Sequence, residues 1–218
     1  MTPNDEALRR VKMRRKKAII VTNIGIVLVS IAGLIFSIAE YGWGMFRFYT
    51  QNSNFFAAIS SILLLVYLFK GDEVPKWLTK MRYVAVLGLA ITFIITALVL
   101  APLYGKDYFR MFTDGSKLYQ HLLCPLLYFV SFFALEKRVP MEKSCIYCGI
   151  IPTVVYAVVL VILNLLKIVD GPYPFLRVYD QSIFVSFMWA VCILGFDYLM
   201  AWAVWKLGAL SQKTIVTK

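Results

Sequence analysis

Two short stretches hold most of the side chains that could do chemistry. One is Tyr49-Thr50-Gln51-Asn52-Ser53-Asn54 and the other runs from Tyr119 through His121 to Pro125. His121 is the sole histidine of 218 residues, so any imidazole base must be this one. Its solitude excludes multi-histidine iron centres and HExxH zinc sites. Thr50 and Ser53 supply hydroxyls, which are weak nucleophiles until a neighbouring base takes their proton. Asn52 and Asn54 supply amides that could donate to a developing oxyanion. Thr50, Ser53, Asn54, Ala57 and Ser61 recur at helical spacing and share one face. The plainer reading of that face is helix capping and interhelical hydrogen bonding. For His121 the plainer reading is an interfacial imidazole satisfied by water. Pro125 cannot donate to the carbonyl of residue 121, so the helix is expected to loosen where the histidine sits.

The elements that must position these residues are membrane spans. Hydrophobic residues make up 61% of the chain and charged residues 16%, and the mean hydropathy is +0.74. A soluble domain is nearer half apolar and a quarter charged. These values argue against a cytosolic globular enzyme and a disordered chain. The net charge of +11 does not indicate nucleic-acid binding, because the basic residues flank apolar runs. Six stretches reach the length that crosses a ~30 Å hydrocarbon core: roughly 18–39, 51–69, 82–104, 117–134, 145–166 and 181–206. Each must be helical, since unpaired backbone groups in lipid are costly. The expected fold is therefore all-α, a bundle of six transmembrane helices. It has a basic segment at 1–17, a membrane domain at 18–206 and a tail at 207–218.

Of the 23 Lys and Arg, 17 fall on the side that carries both termini, which predicts cytoplasmic termini. The count includes Lys137, Arg138, Lys213 and Lys218. The basic N-terminal stretch then meets anionic lipid head groups. Tyr41, Trp43, Tyr49, Tyr104, Tyr108, Tyr119, Tyr173 and Tyr179 would form the outer aromatic belt, and Trp77, Tyr83, Trp202 and Trp205 the inner one. Thr50 and His121 both fall at the outer end, with His121 about 7 Å deeper by residue count.

Asp197 is the one carboxylate deep in a span, a functional candidate by default. A protonated acid bonded to a neighbouring helix is the alternative, with Asn23 a possible partner. Asp114 and Asp180, at the outer ends of spans four and six, could orient the imidazole or could as easily be solvated. The segment Asp170-Gly171-Pro172-Tyr173-Pro174-Phe175 should be a stiff turn whose aromatics could cover an outward-facing pocket. Cys145 and Cys148 form a CxxC, read as structural thiols because no further ligands for zinc lie nearby. Cys124 and Cys192 read as packing residues. No metal or cofactor is expected.

Phe48-Tyr49-Thr50-Gln51-Asn52-Ser53-Asn54 opening span two, a single histidine followed by Pro125 in span four, and Tyr173-Pro174 before span six resemble the androgen-induced and androgen-dependent TFPI-regulating membrane protein family. The Gln-Asn-Ser-Asn run resembles its bacterial six-span branch. The resemblance implies a membrane threonine hydrolase that cleaves fatty acid esters of hydroxy fatty acids, with Thr50 as nucleophile and His121 as base. It prefers Thr50 over Ser53, and implies a lipid ester drawn from the bilayer of a bacterial cell as substrate. Two other functions fit six spans: a small-solute transporter or channel with Asp197 in its path, and a non-catalytic helper subunit.

Overall fold

A computed structural model describes residues 3–136 and 141–216. Lys137, Arg138 and Lys218, counted above for orientation, lie outside the described residues. Among those described the chain is 86% helical with no strand, and six helices are long and apolar enough to cross a membrane. Span one is a single helix, Pro3–Tyr41. The basic stretch at its start is part of that helix, because Lys and Arg are good helix formers and nothing interrupts the run before Gly42 turns the backbone at φ 57°. Span two, Tyr49–Lys70, ends at Gly71, whose left-handed φ of 78° closes the helix.

Span three begins at Lys76, just after Pro75, and is regular to Ile95. A wide turn at Thr96–Leu100 and a tight helical piece at Ala101–Asp107 then bring the chain back towards the bundle. Span four, Leu118–Leu135, departs most from a regular helix. It opens with a π-helical stretch at Leu118–Leu123, where the Cys124 N–H reaches back five residues to the carbonyl of Tyr119. This is the loosening expected from Pro125, and His121 sits inside it. Spans five and six are Ser144–Leu165 and Ile183–Val216.

Span three is the centre of the bundle and touches spans two, four, five and six; span one lies against two and four. Ile26, Tyr83, Val86, Leu87, Leu89, Cys124, Tyr128 and Cys145 share one core. The outer surface carries large apolar side chains such as Ile183, Phe184 and Phe187, as expected where the solvent is lipid. Two expectations change here. Tyr83 is fully buried and donates its hydroxyl proton to the Ala201 carbonyl at 2.7 Å, so it is a core residue and not an interfacial anchor. Cys192 is exposed, because its helix turns that face outward.

A polar core at the other end of the bundle from Thr50 ties spans two, three and four together. Arg82, 1% exposed, pairs with Glu136. It also donates to Ser61 at 2.9 Å and lies 4.2 Å from the centre of the Tyr128 ring. Asn23 donates to Ser131 at 2.8 Å and to its own helix at Ile19. Its amide protons are used here, and Asp197 has no hydrogen-bond partner among the described residues, so the two are not paired as expected. Removing one member of a buried pair leaves an uncompensated charge, at a cost of about 3–5 kcal/mol. Glu136→Ala should consequently lower thermal stability in detergent more than Arg82→Met, which removes the buried charge itself. Equal losses would contradict this assignment of the cost.

Candidate active site

Span two begins where Asn52 fastens the preceding chain. Both its amide protons are used, Nδ2 donating to the carbonyls of Phe46 at 2.8 Å and Phe48 at 3.0 Å. The expected polar face is buried: Thr50, Ser53, Asn54, Ala57 and Ser61 all point inward. Asn54 donates to the carbonyls of Thr50 at 2.8 Å and Gln120 at 3.1 Å. An amide has two N–H groups, so neither Asn52 nor Asn54 has one to spare for an oxyanion. Ser53 donates to the Thr50 carbonyl and shares a 2.9 Å hydrogen bond with Thr92. It faces span three, where Gly88 lets the two helices come so close that an added Cβ would stand 3.1 Å from the Ser53 Cβ.

Thr50 and His121 face the same cavity. It measures about 280 Å³, lies at this end of the bundle and is also lined by Gln51, Gln120, Met111 and Tyr173. Ser53, Asn52 and Asn54 do not line it. What sets the two helices at one height is an amide pair beside the candidates. Gln51 Nε2 donates to Gln120 Oε1 at 2.6 Å, and Gln120 Nε2 donates back to Gln51 Oε1 at 2.7 Å. Gln51 Nε2 also donates to Ser37 of span one, and the second N–H of Gln120 is shared between Ser37 at 2.8 Å and the Gly33 carbonyl at 3.1 Å. A Cβ on Gly33 would lie 3.0 Å from the Tyr119 Cβ, so glycine permits this approach.

The imidazole is oriented by backbone. His121 Nδ1 lies 2.7 Å from the carbonyl of Met111. A carbonyl only accepts, so Nδ1 carries the proton. In a neutral ring Nε2 then keeps its lone pair, and it has no hydrogen-bond partner among the described residues. Asp114 and Asp180 do not take this role: Asp114 accepts from Arg110 Nε at 2.8 Å and Asp180 lies 3.8 Å from Arg177.

The segment before span six lines the cavity through Pro172, Tyr173, Pro174 and Arg177. The Tyr173 hydroxyl accepts from the Tyr49 N–H at 3.0 Å and lies beside the Thr50 hydroxyl. Burial holds the Tyr173 phenol above its ordinary range, so it stays a proton donor. A narrower, apolar cleft of about 60 Å³ meets the cavity at Thr50, Tyr173 and Leu100, and continues past Ile95, Tyr156 and Ile193.

Asp197 stands apart from the cavity. It is fully buried, with neither carboxyl oxygen hydrogen-bonded among the described residues. Its neighbour is Thr153, whose hydroxyl lies 3.0 Å from that of Tyr49. Among the described residues no cluster of three or more His, Cys, Asp and Glu could hold a metal ion.

The residues that sequence reasoning left without a role are Gln51, Gln120 and the Met111 carbonyl. The signal for the amides was present, since each directly adjoins a candidate in sequence. The carbonyl left none, because any residue supplies one. No family model, curated protein or solved structure matches the chain.

Breaking the amide pair leaves a buried amide unsatisfied, at about 1–3 kcal/mol. Gln51→Leu and Gln120→Leu should each lower the unfolding temperature. The double variant should lose clearly less than the sum, as expected for contacting residues, and additive losses in a double-mutant cycle would contradict the pairing.

Proposed function

We propose that the chain is an integral-membrane threonine hydrolase that cleaves lipid esters such as fatty acid esters of hydroxy fatty acids, as the androgen-induced membrane protein family does. The observation that carries this reading is the shared cavity. Thr50 and a His121 with its Nδ1–H engaged and its Nε2 unpartnered line one space, while the rival Ser53 is bonded elsewhere.

In this reading the Thr50 hydroxyl oxygen attacks the ester carbonyl as His121 Nε2 takes its proton. The carbonyl oxygen becomes an oxyanion. With the two asparagines committed, the Tyr173 hydroxyl beside Thr50 is the donor offered to it. As the intermediate collapses, the carbon–oxygen bond to the alcohol breaks and His121 returns its proton to that oxygen. Water then attacks the acyl-threonine. It gives its proton to His121, which passes it to the departing Thr50 oxygen as the fatty acid is released. Met111 holds the ring in the required tautomer throughout. The apolar cleft that meets the cavity at Thr50 has room for only the first carbons of an acyl chain, and the larger cavity suits the polar part of the ester. Charge counting puts this end of the bundle outside the cell.

Hydrolysis of a fatty acid ester of a hydroxy fatty acid by detergent-purified protein tests this reading. Thr50→Ala and His121→Ala should each lower kcat by about a thousandfold or more while remaining folded, whereas Ser53→Ala should stay within tenfold of wild type. Activity surviving in Thr50→Ala would overturn the assignment. If Asp197→Asn alone abolished function, measured as solute flux, the transporter reading would replace it.

A further inference from the structure

The walls of the larger cavity carry two cationic side chains and no acidic one: Lys117 and Arg177. They approach from different elements, Lys117 from the start of span four and Arg177 from the segment before span six. Lys117 is four residues before His121, so the two share a helix face, and its ammonium is near enough to act on the imidazole electrostatically. That ammonium has no hydrogen-bond or ion-pair partner among the described residues. Arg177 is turned by its own segment: Nε donates to the Gly171 carbonyl at 3.2 Å, and another guanidinium nitrogen stands 3.8 Å from Asp180. Two carboxylates stand beside lining residues without lining the cavity themselves. Glu40 accepts from the Ser116 N–H at 3.0 Å and its hydroxyl at 2.8 Å, and Asp114 accepts from Arg110.

Two cations lining one cavity with no carboxylate among them attract an anion, and low-dielectric walls strengthen the field between them. We propose that Lys117 and Arg177 form an anion site at the cavity mouth that holds the ionised head group, carboxylate or phosphate, of the lipid substrate. It places that head group about one helical turn from His121, with the chain directed towards the apolar cleft. This deepens the hydrolase reading by assigning Lys117 and Arg177 to the ionised group that such a lipid ester carries. It rests on that reading only for the cavity being the lipid site, since binding requires no turnover.

The test is equilibrium binding to the full chain in nanodiscs of zwitterionic lipid, with palmitate, hexadecyl phosphate and methyl palmitate as probes at a pH where palmitate is ionised. The wild type should bind at least one anionic probe about tenfold more tightly than methyl palmitate. Which of the two binds better identifies the head group. Lys117→Gln/Arg177→Gln should bring that ratio close to one, and Lys117→Arg should preserve it. Because the variants could alter folding, the wild-type ratio is also measured against salt, and it should fall as ionic strength rises. Equal binding of charged and neutral probes by the wild type would overturn the proposal. So would a ratio that survives in the folded double variant, or one indifferent to salt. A protein that binds palmitate as expected but hydrolyses no ester would keep the anion site and lose the threonine hydrolase.

Discussion

The reciprocal amide pair of Gln51 and Gln120 is the constraint on which this end of the bundle depends. Within a bilayer, water does not compete for a buried amide, so each N–H and carbonyl must find a protein partner. Two primary amides facing each other satisfy one donor and one acceptor apiece, and their remaining donors fall on Ser37 and Gly33 of span one. Spans one, two and four are thereby fixed in one register. Thr50 and His121, each adjacent in sequence to one of the amides, are carried to a common cavity as a consequence.

The same accounting explains why polar residues that look alike in sequence play different parts. Asn52 and Asn54 spend both donors on carbonyls, one pair holding the chain before span two and the other linking span two to span four. Ser53 is tied to Thr92. At the opposite end Arg82 gathers Glu136 and Ser61 against the face of Tyr128. Asp197 departs furthest from it, with neither oxygen bonded among the described residues, while Asn23, Asn54 and Thr96 each leave one buried oxygen unbonded. Its place beside Thr153, whose hydroxyl meets that of Tyr49, puts it behind the start of span two and away from the cavity.

The helical architecture was legible because hydrophobic length in a bilayer leaves few alternatives, and the polar face of span two because its period is that of a helix. The loosened turn at His121 was legible because Pro125 lacks the donor that a regular turn requires. Other features were not. Asp114 looked like an imidazole partner by proximity in sequence, yet a short helix at Arg110–Thr113 presents the Met111 carbonyl instead. Tyr83 looked interfacial from its position near a span end, but span three runs through the middle of the bundle. Both errors share a physical origin: depth along the membrane can be read from one span at a time, whereas lateral neighbours depend on how the spans are arranged around each other.

The central claim is that the Thr50 oxygen is a nucleophile made reactive by His121. The most direct measurement is mass spectrometry of peptides from the intact membrane protein after reaction with a fluorophosphonate probe, which forms a covalent bond to an activated hydroxyl. The account predicts an adduct on Thr50 that disappears in His121→Ala. An adduct on Ser53 or another hydroxyl, or a Thr50 adduct that forms equally well without the imidazole, would contradict it.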